Sequence, residues 1–113
     1  MHEMSIVKGI LKIVLNEAQR NGATKIKTVR IRAGELRGIV PEQLLFLWEF
    51  AGKDTLAQGA TLEVEKVPIK AKCKSCNHVF MVRNHEFICS GCDSKDVDVV
   101  EGKELDVQEI KVE

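Results

Sequence analysis

The chain has 113 residues, 44% of them hydrophobic and 30% charged. That length fits one domain carrying a small stapled subdomain, and it is too short for a TIM barrel or a two-half Rossmann fold. The 17 Lys and Arg balance 17 Asp and Glu, so net charge gives no overall pull toward nucleic acid or an anionic membrane.

The start, Met1-His2-Glu3-Met4, lacks the basic flank and apolar stretch of a signal peptide. No uncharged apolar run approaches the ~20 residues of a membrane span. The expected compartment is therefore the cytoplasm. Ser5 to Asn21 reads as a helix, with Val7, Ile10, Leu11, Val14, Leu15 and Ala18 recurring at three- and four-residue steps. Ser5 is the expected N-cap and Gly22 the expected stop, leaving only Met1 to Met4 ahead of the helix.

Lys27 to Ala33 alternates, with Val29, Ile31 and Ala33 on one side, as in a half-buried strand. Gly34 and Gly38 bracket a loop. Pro41 opens a second helix, because its missing N–H is not needed in the first turn. Leu44 to Leu47, Trp48, Phe50 and Ala51 cover most of that helix's circumference, so Trp48 and Phe50 are expected in the core or in an oligomer contact. Thr61 to Val67 is a second strand. Its parity slips through Val67, Ile69 and Ala71, which predicts a bulge or bend. Leu105 to Val112 is a third strand, with a slip between Val107 and Ile110. The expected fold class is α+β: two helices on a three-stranded sheet, with an inserted zinc-ribbon-like subdomain. The expected boundaries are 1–70 plus 98–113 for the main body and 71–97 for the insert.

Cys73-Lys-Ser-Cys76 and Cys89-Ser-Gly-Cys92 flank the twelve residues from Asn77 to Ile88. Two such pairs at this separation point to a tetrahedral four-thiolate site. Asn77 and Asp93 follow the second cysteine of each pair, and both types tolerate the left-handed backbone a tight knuckle needs. Soft thiolates in a tetrahedron favour zinc, with rubredoxin-like iron and a pair of redox dithiols as competitors. Four protein ligands leave no open position, so the zinc reading is structural. Val79 to Val82 and Glu86 to Ile88 are expected to pair as a hairpin between the knuckles. Lys70, Lys72 and Lys74 lie nearby, but Glu63, Glu65 and Glu86 dilute them and aromatic stacking platforms are scarce, so no nucleic acid is expected.

His2 differs from His78 and His85, which read as solvated loop residues. The Met1 amine, the His2 amide nitrogen and the His2 imidazole can chelate one cation in fused rings. Such nitrogen ligands suit Ni(II) or Cu(II), and a reducing cytoplasm favours nickel. Glu3 is either a charge complementing the helix dipole or a further ligand or partner contact.

The opening Met1-His2-Glu3-Met4-Ser5, an αβαβ body, Cys73-x-x-Cys76 and Cys89-x-x-Cys92, and a closing acidic-hydrophobic strand together resemble the HypA family. That family comprises nickel metallochaperones serving maturation of [NiFe] hydrogenases. The resemblance spans essentially the whole chain. It implies Ni2+ as transferred cargo at Met1 and His2, with Glu3 in the nickel site or at the partner surface. It implies structural Zn2+ held by Cys73, Cys76, Cys89 and Cys92. The implied partners are a HypB-like GTPase and a hydrogenase large-subunit precursor, and some members also supply urease. No catalysis is needed, and no triad, phosphate-cradling loop or carboxylate pair is present. Gly34-Glu-Leu-Arg-Gly38 lacks the ending of a Walker loop. The alternative is a zinc-ribbon module binding protein or nucleic acid, indifferent to His2→Ala.

Overall fold

The computed structural model describes residues 3–113, so the expected nickel ligands Met1 and His2 lie outside the described residues. The chain groups into two compact units. The first comprises residues up to 32, 39–65 and 106–113; the second comprises 33–38 and 66–105.

In the first unit, α1 spans Glu3–Arg20 and α2 spans Pro41–Ala51. Helix α1 begins two residues before the expected cap, so Ser5 is an exposed residue inside its first turns rather than an N-cap. Two features extend the helix backwards. Glu3 carries a charge suited to the positive end of the dipole, and Met4 adds a half-buried apolar residue. The helix stops as expected, with Gly22 in left-handed backbone at φ 65°. Its buried stripe is Ile6, Val7, Ile10, Val14 and Ala18.

Helix α2 opens on Pro41 as the sequence predicts, and it packs against α1. Leu44 and Trp48 fill its buried stripe. The Trp48 indole N–H donates to the Ala60 carbonyl at 3.1 Å, which satisfies its one polar atom. Phe50 is not in the core. It is 63% exposed and Phe46 70% exposed. At about 100° per residue, Phe46 and Phe50 project roughly 200° away from Leu44 and Trp48. The helix therefore has one buried stripe, not two, and the Lys53 ammonium lies 5.8 Å from the Phe50 ring.

Strands β1 (Ile26–Gly34), β2 (Thr61–Val67) and β6 (Leu105–Val112) form a sheet in the order β2-β1-β6. Alternation places Val29, Ile31 and Ala33 inside, and Ile26, out of phase with them, is buried as well. Ion pairs link the other face of β1 to β6: Lys27 to Glu113, Arg30 to Glu109 and Arg32 to Asp106. One set of numbers rises as the other falls, so β1 and β6 run antiparallel.

The Arg32 guanidinium donates twice to the Asp106 carboxylate, at 3.2 and 3.1 Å. These bonds hold the Asp106 carboxyl below its ordinary range. A lowered native pKa stabilises the fold above the ordinary carboxylate value, and that stabilisation disappears as pH falls through the lowered one. Asp106→Asn should therefore lower stability in urea by about 0.5–1 kcal/mol at neutral pH, the scale of a partly exposed pair. The deficit should vanish in acid. An equal deficit at every pH would assign the effect to something other than this charge.

In the second unit, β3 (Lys70–Cys73) is flanked by β4 (Val79–Met81) and β5 (Val97–Glu101), both antiparallel to it. The expected hairpin between 79–82 and 86–88 is not the main pairing. Strand β4 pairs with β3, placing Ala71 opposite Phe80, and only an Arg83–Glu86 bridge joins the expected arms. Phe80 and Val82 are buried against Ile69, Ala71, Cys73 and Cys89, so the interior along β3 captures this strand. The register of β3 on β5 shifts between Lys70 and Ala71, where the sequence predicts a bulge.

Short Glu35–Arg37 is a 3-10 turn ending on Gly38 in left-handed backbone. Gly34 lies tight against the 102–104 loop. Its N–H donates to the Glu104 carbonyl at 2.6 Å, and a Cβ there would collide with the Gly102 carbonyl and the Glu104 amide. A Cβ on Gly102, at φ 114°, would in turn lie 2.8 Å from Ile69 Cα. Gly34→Ala should cost about 1–3 kcal/mol, read from the denaturation midpoint. An unchanged midpoint would show that the loop yields.

Candidate metal centre

The two Cys-x-x-Cys segments fold into the same turn twice. At the end of β3, the Asn77 N–H donates to the Cys73 carbonyl at 2.9 Å, with Asn77 at φ 62°. In the second turn, the Asp93 N–H donates to the Cys89 carbonyl at 2.9 Å, with Asp93 at φ 61°. These are the left-handed positions predicted from the residue types. The Cys73 N–H donates to the His78 carbonyl and the Cys89 N–H to the Ser94 carbonyl, closing each knuckle at its base.

Each knuckle aims its sulfurs at one point. All four Sγ atoms lie within 4.8 Å of one another, and Cys73–Cys92 and Cys76–Cys89 are each 3.6 Å apart. A zinc–sulfur bond of about 2.3 Å in a regular tetrahedron implies sulfur–sulfur edges of about 3.8 Å. The donor set therefore fits one tetrahedral thiolate-bound ion. Among the described residues, only these four form a cluster of possible metal ligands.

Residues not singled out from the sequence support this geometry. The Ser75 and Gly91 N–H groups donate to Cys73 Sγ and Cys89 Sγ, both at 3.3 Å. The hydroxyls of Ser75 and Ser94 meet across the knuckles at 3.2 Å. The only available signal was the repeated small residue inside or just after each Cys pair.

The four sulfurs perturb one another's ionisation. A hydrogen bond from the Cys76 backbone lowers Cys73 to about 6, against the opposing effect of its burial. The Ser94 amide also lowers Cys92, but the Cys73 and Cys76 sulfurs outweigh it and push Cys92 up to about 12. The His78 amide lowers Cys76, yet the Cys89 sulfur and burial raise it overall. One thiolate thus raises the cost of the next, and a central cation removes that repulsion.

The remaining expected residues fall elsewhere. His78 does not face the cluster as a fifth ligand. Its Nε2 is 3.2 Å from Ser90 Oγ, its ring stacks on Phe80 at 6.1 Å, and it lies against Gly91. His85 shares an exposed two-residue turn with Asn84, both in left-handed backbone. Glu3 is the half-buried first residue of α1. Lys74 is held between Asp96 and Asp98, whose charges, Asp98 first, raise its pKa. Its charge is thus matched within the fold, which weakens the case for a phosphate contact there.

A family model described as hydrogenase/urease nickel incorporation, metallochaperone, hypA matches residues 1–112. The chain belongs to the HypA family. Relatives named hydrogenase maturation factor HypA include one from Geobacter sulfurreducens, 40% identical over 113 residues and covering 100% of both chains. Another, from Crocosphaera subtropica, is 37% identical over 113 residues and covers 100% of this chain and 96% of its own. The solution structure of the Ni metallochaperone HypA from Helicobacter pylori aligns with a TM-score of 0.70 at 25% identity, covering 99% of this chain and 97% of that one. A second HypA solution structure aligns at 0.75, also at 25% identity, covering 99% and 96%. The HypA assignment makes the chain a metal-binding maturation factor. Among its described residues, no helix is long and apolar enough to cross a membrane.

Proposed function

We propose that this HypA-family nickel metallochaperone carries Ni(II) on its N-terminal residues and holds a structural zinc ion in Cys73, Cys76, Cys89 and Cys92. The observation that carries the reading is the family match from residue 1 to 112, joined to a Met1-His2-Glu3 start directly at the head of α1. The nickel ligands are the Met1 amine, the His2 amide nitrogen and the His2 imidazole, with the Glu3 carboxylate in the site or at the partner surface. The division of labour follows from donor chemistry. Thiolates in a closed tetrahedron retain zinc, while nitrogen donors suit square-planar or tetragonal nickel. A short terminal chelate also binds and releases its cargo at little ordering cost.

The protein acts within the hydrogenase maturation machinery. A HypB-like GTPase is the proposed partner and a [NiFe] hydrogenase large-subunit precursor the proposed receiver, in the cytoplasm, with a urease accessory protein as a second partner. Calorimetric titration of zinc-loaded protein with Ni(II) tests the reading. The intact chain should take up one nickel ion, and His2→Ala should lose most of that affinity while keeping its zinc. Equal affinity in the two proteins would exclude His2 as a ligand.

A further inference from the structure

The four sulfurs form two classes. Cys73 and Cys89 are wholly buried, whereas Cys76 and Cys92 are exposed. Both 3.6 Å contacts cross from one knuckle to the other, and each joins a buried sulfur to an exposed one. The buried members also receive the Ser75 and Gly91 N–H groups. We propose that Cys76 and Cys92 are oxidation sites for hydrogen peroxide, and that oxidation exchanges the metal for two disulfides, Cys73–Cys92 and Cys76–Cys89. The inference rests on the zinc reading of the cluster.

The chemistry balances with peroxide as the only oxidant. An exposed sulfur, a thiolate while it ligates the ion, attacks a peroxide oxygen. A sulfur–oxygen bond forms, the oxygen–oxygen bond breaks and hydroxide leaves. The buried thiolate facing it then attacks the new sulfenic sulfur. A disulfide forms, the sulfur–oxygen bond breaks and a second hydroxide leaves, to be protonated by water. Each pair gives two electrons to one peroxide, so two peroxides release one zinc ion. A disulfide needs sulfurs about 2.05 Å apart, so each pair closes by roughly 1.5 Å from its present contact.

The position of the new bonds decides the outcome. An ion held by all four thiolates would join the knuckle after β3 to the knuckle before β5, and the two cross-knuckle disulfides join the same segments. Oxidation therefore expels the ion without opening the β4-β3-β5 sheet. Disulfides within each knuckle, Cys73–Cys76 and Cys89–Cys92, would leave the two turns untied.

The test uses the full chain, loaded with zinc and its metal content measured before treatment. Peroxide is added stepwise, released zinc is followed with a chromogenic chelator, and disulfides are mapped in a non-reduced tryptic digest. Cleavage at Lys72, Lys74, Arg83 and Lys95 places Cys73 and Cys76 on separate peptides and leaves Cys89 with Cys92 on a third. The expected product is one three-peptide assembly, in which fragmentation between Cys89 and Cys92 assigns Cys73–Cys92 and Cys76–Cys89. Complete zinc loss should accompany two equivalents of peroxide. Amide protection in β3 should persist, and a thiol reductant with added zinc should restore the starting state. Within-knuckle disulfides, sulfonic acids, or zinc retained in excess peroxide would overturn the proposal. Absence of zinc before oxidation would instead overturn the zinc reading and this proposal with it, whereas a zinc-loaded chain that gives other disulfides overturns this proposal alone.

Discussion

Chelating the zinc under reducing conditions should unfold β3, β4 and β5 while α1, α2 and β1 keep their structure. The buried cluster of the cysteine-bearing unit consists of Ile69, Ala71, Cys73, Phe80, Val82 and Cys89. Two of these six, Cys73 and Cys89, are proposed zinc ligands, and one of the other four is an alanine. So small an apolar interior cannot offset the entropy of ordering the surrounding chain, and binding energies of about 10–16 kcal/mol for structural zinc then become folding energy. The other unit has its own interior, in which Val7, Val14, Ile26, Val29, Ile31, Leu44 and Trp48 are almost fully buried. Hydrogen exchange by mass spectrometry checks this directly. Peptides covering 70–73, 79–81 and 97–101 should lose protection together, and Cys73→Ser should reproduce the loss without a chelator. Protection of those strands after complete zinc removal under reductant would show that the sheet is held by its apolar contacts alone.

Acetylating Met1 should weaken nickel binding by about an order of magnitude or more without disturbing zinc or fold. Acetylation converts a basic amine into an amide and leaves His2 in place, so it removes one donor without shifting the register. A tag residue ahead of Met1 is a less clean probe, because a histidine in third position can still chelate through two amides. The same ligand set predicts the pH response. A terminal amine has a reference pKa of about 7.7–8.0 and an imidazole about 6.5, and both must be unprotonated to bind. Nickel affinity should therefore fall as pH drops from about 8 to 6, with zinc retained further into acid. Calorimetric titration of acetylated and free-amine protein across that range separates the possibilities. Equal affinities would eliminate the amine, and a flat pH profile would count against nitrogen ligation altogether.

Much of this molecule was legible before any coordinates. Strong periodicity located α1, β1, β2 and β6, because an apolar residue every 3.6 or every second position is the direct imprint of a one-sided interior. Pro41 and Gly22 marked helix ends through backbone restrictions that act within one or two residues. The four cysteines and the left-handed Asn77 and Asp93 were readable for the same reason, since a metal knuckle is a local turn with fixed spacing. The joint pattern of the Met1-His2-Glu3 start and the doubled Cys-x-x-Cys pointed to HypA, and the whole-chain match bears that out.

What escaped the sequence were choices among partners. Strand β5 was not expected, because Val97 to Glu101 is short and gains its interior only by pairing with β3. Sequence proximity pairs β4 with the segment that follows it, whereas Phe80 and Val82 are buried beside β3. Helix α2 is apolar on nearly every side, so composition makes Phe50 as eligible for the core as Trp48 and cannot say which stripe finds a neighbour. The division of the sulfurs into buried and exposed pairs was equally invisible in two near-identical motifs. The local turns, the periodic elements and the two Cys-x-x-Cys knuckles are written in the sequence because each is decided within a few residues. Strand partners, burial and which sulfurs touch emerge only on folding, because they depend on segments far apart in the chain competing for the same apolar surface.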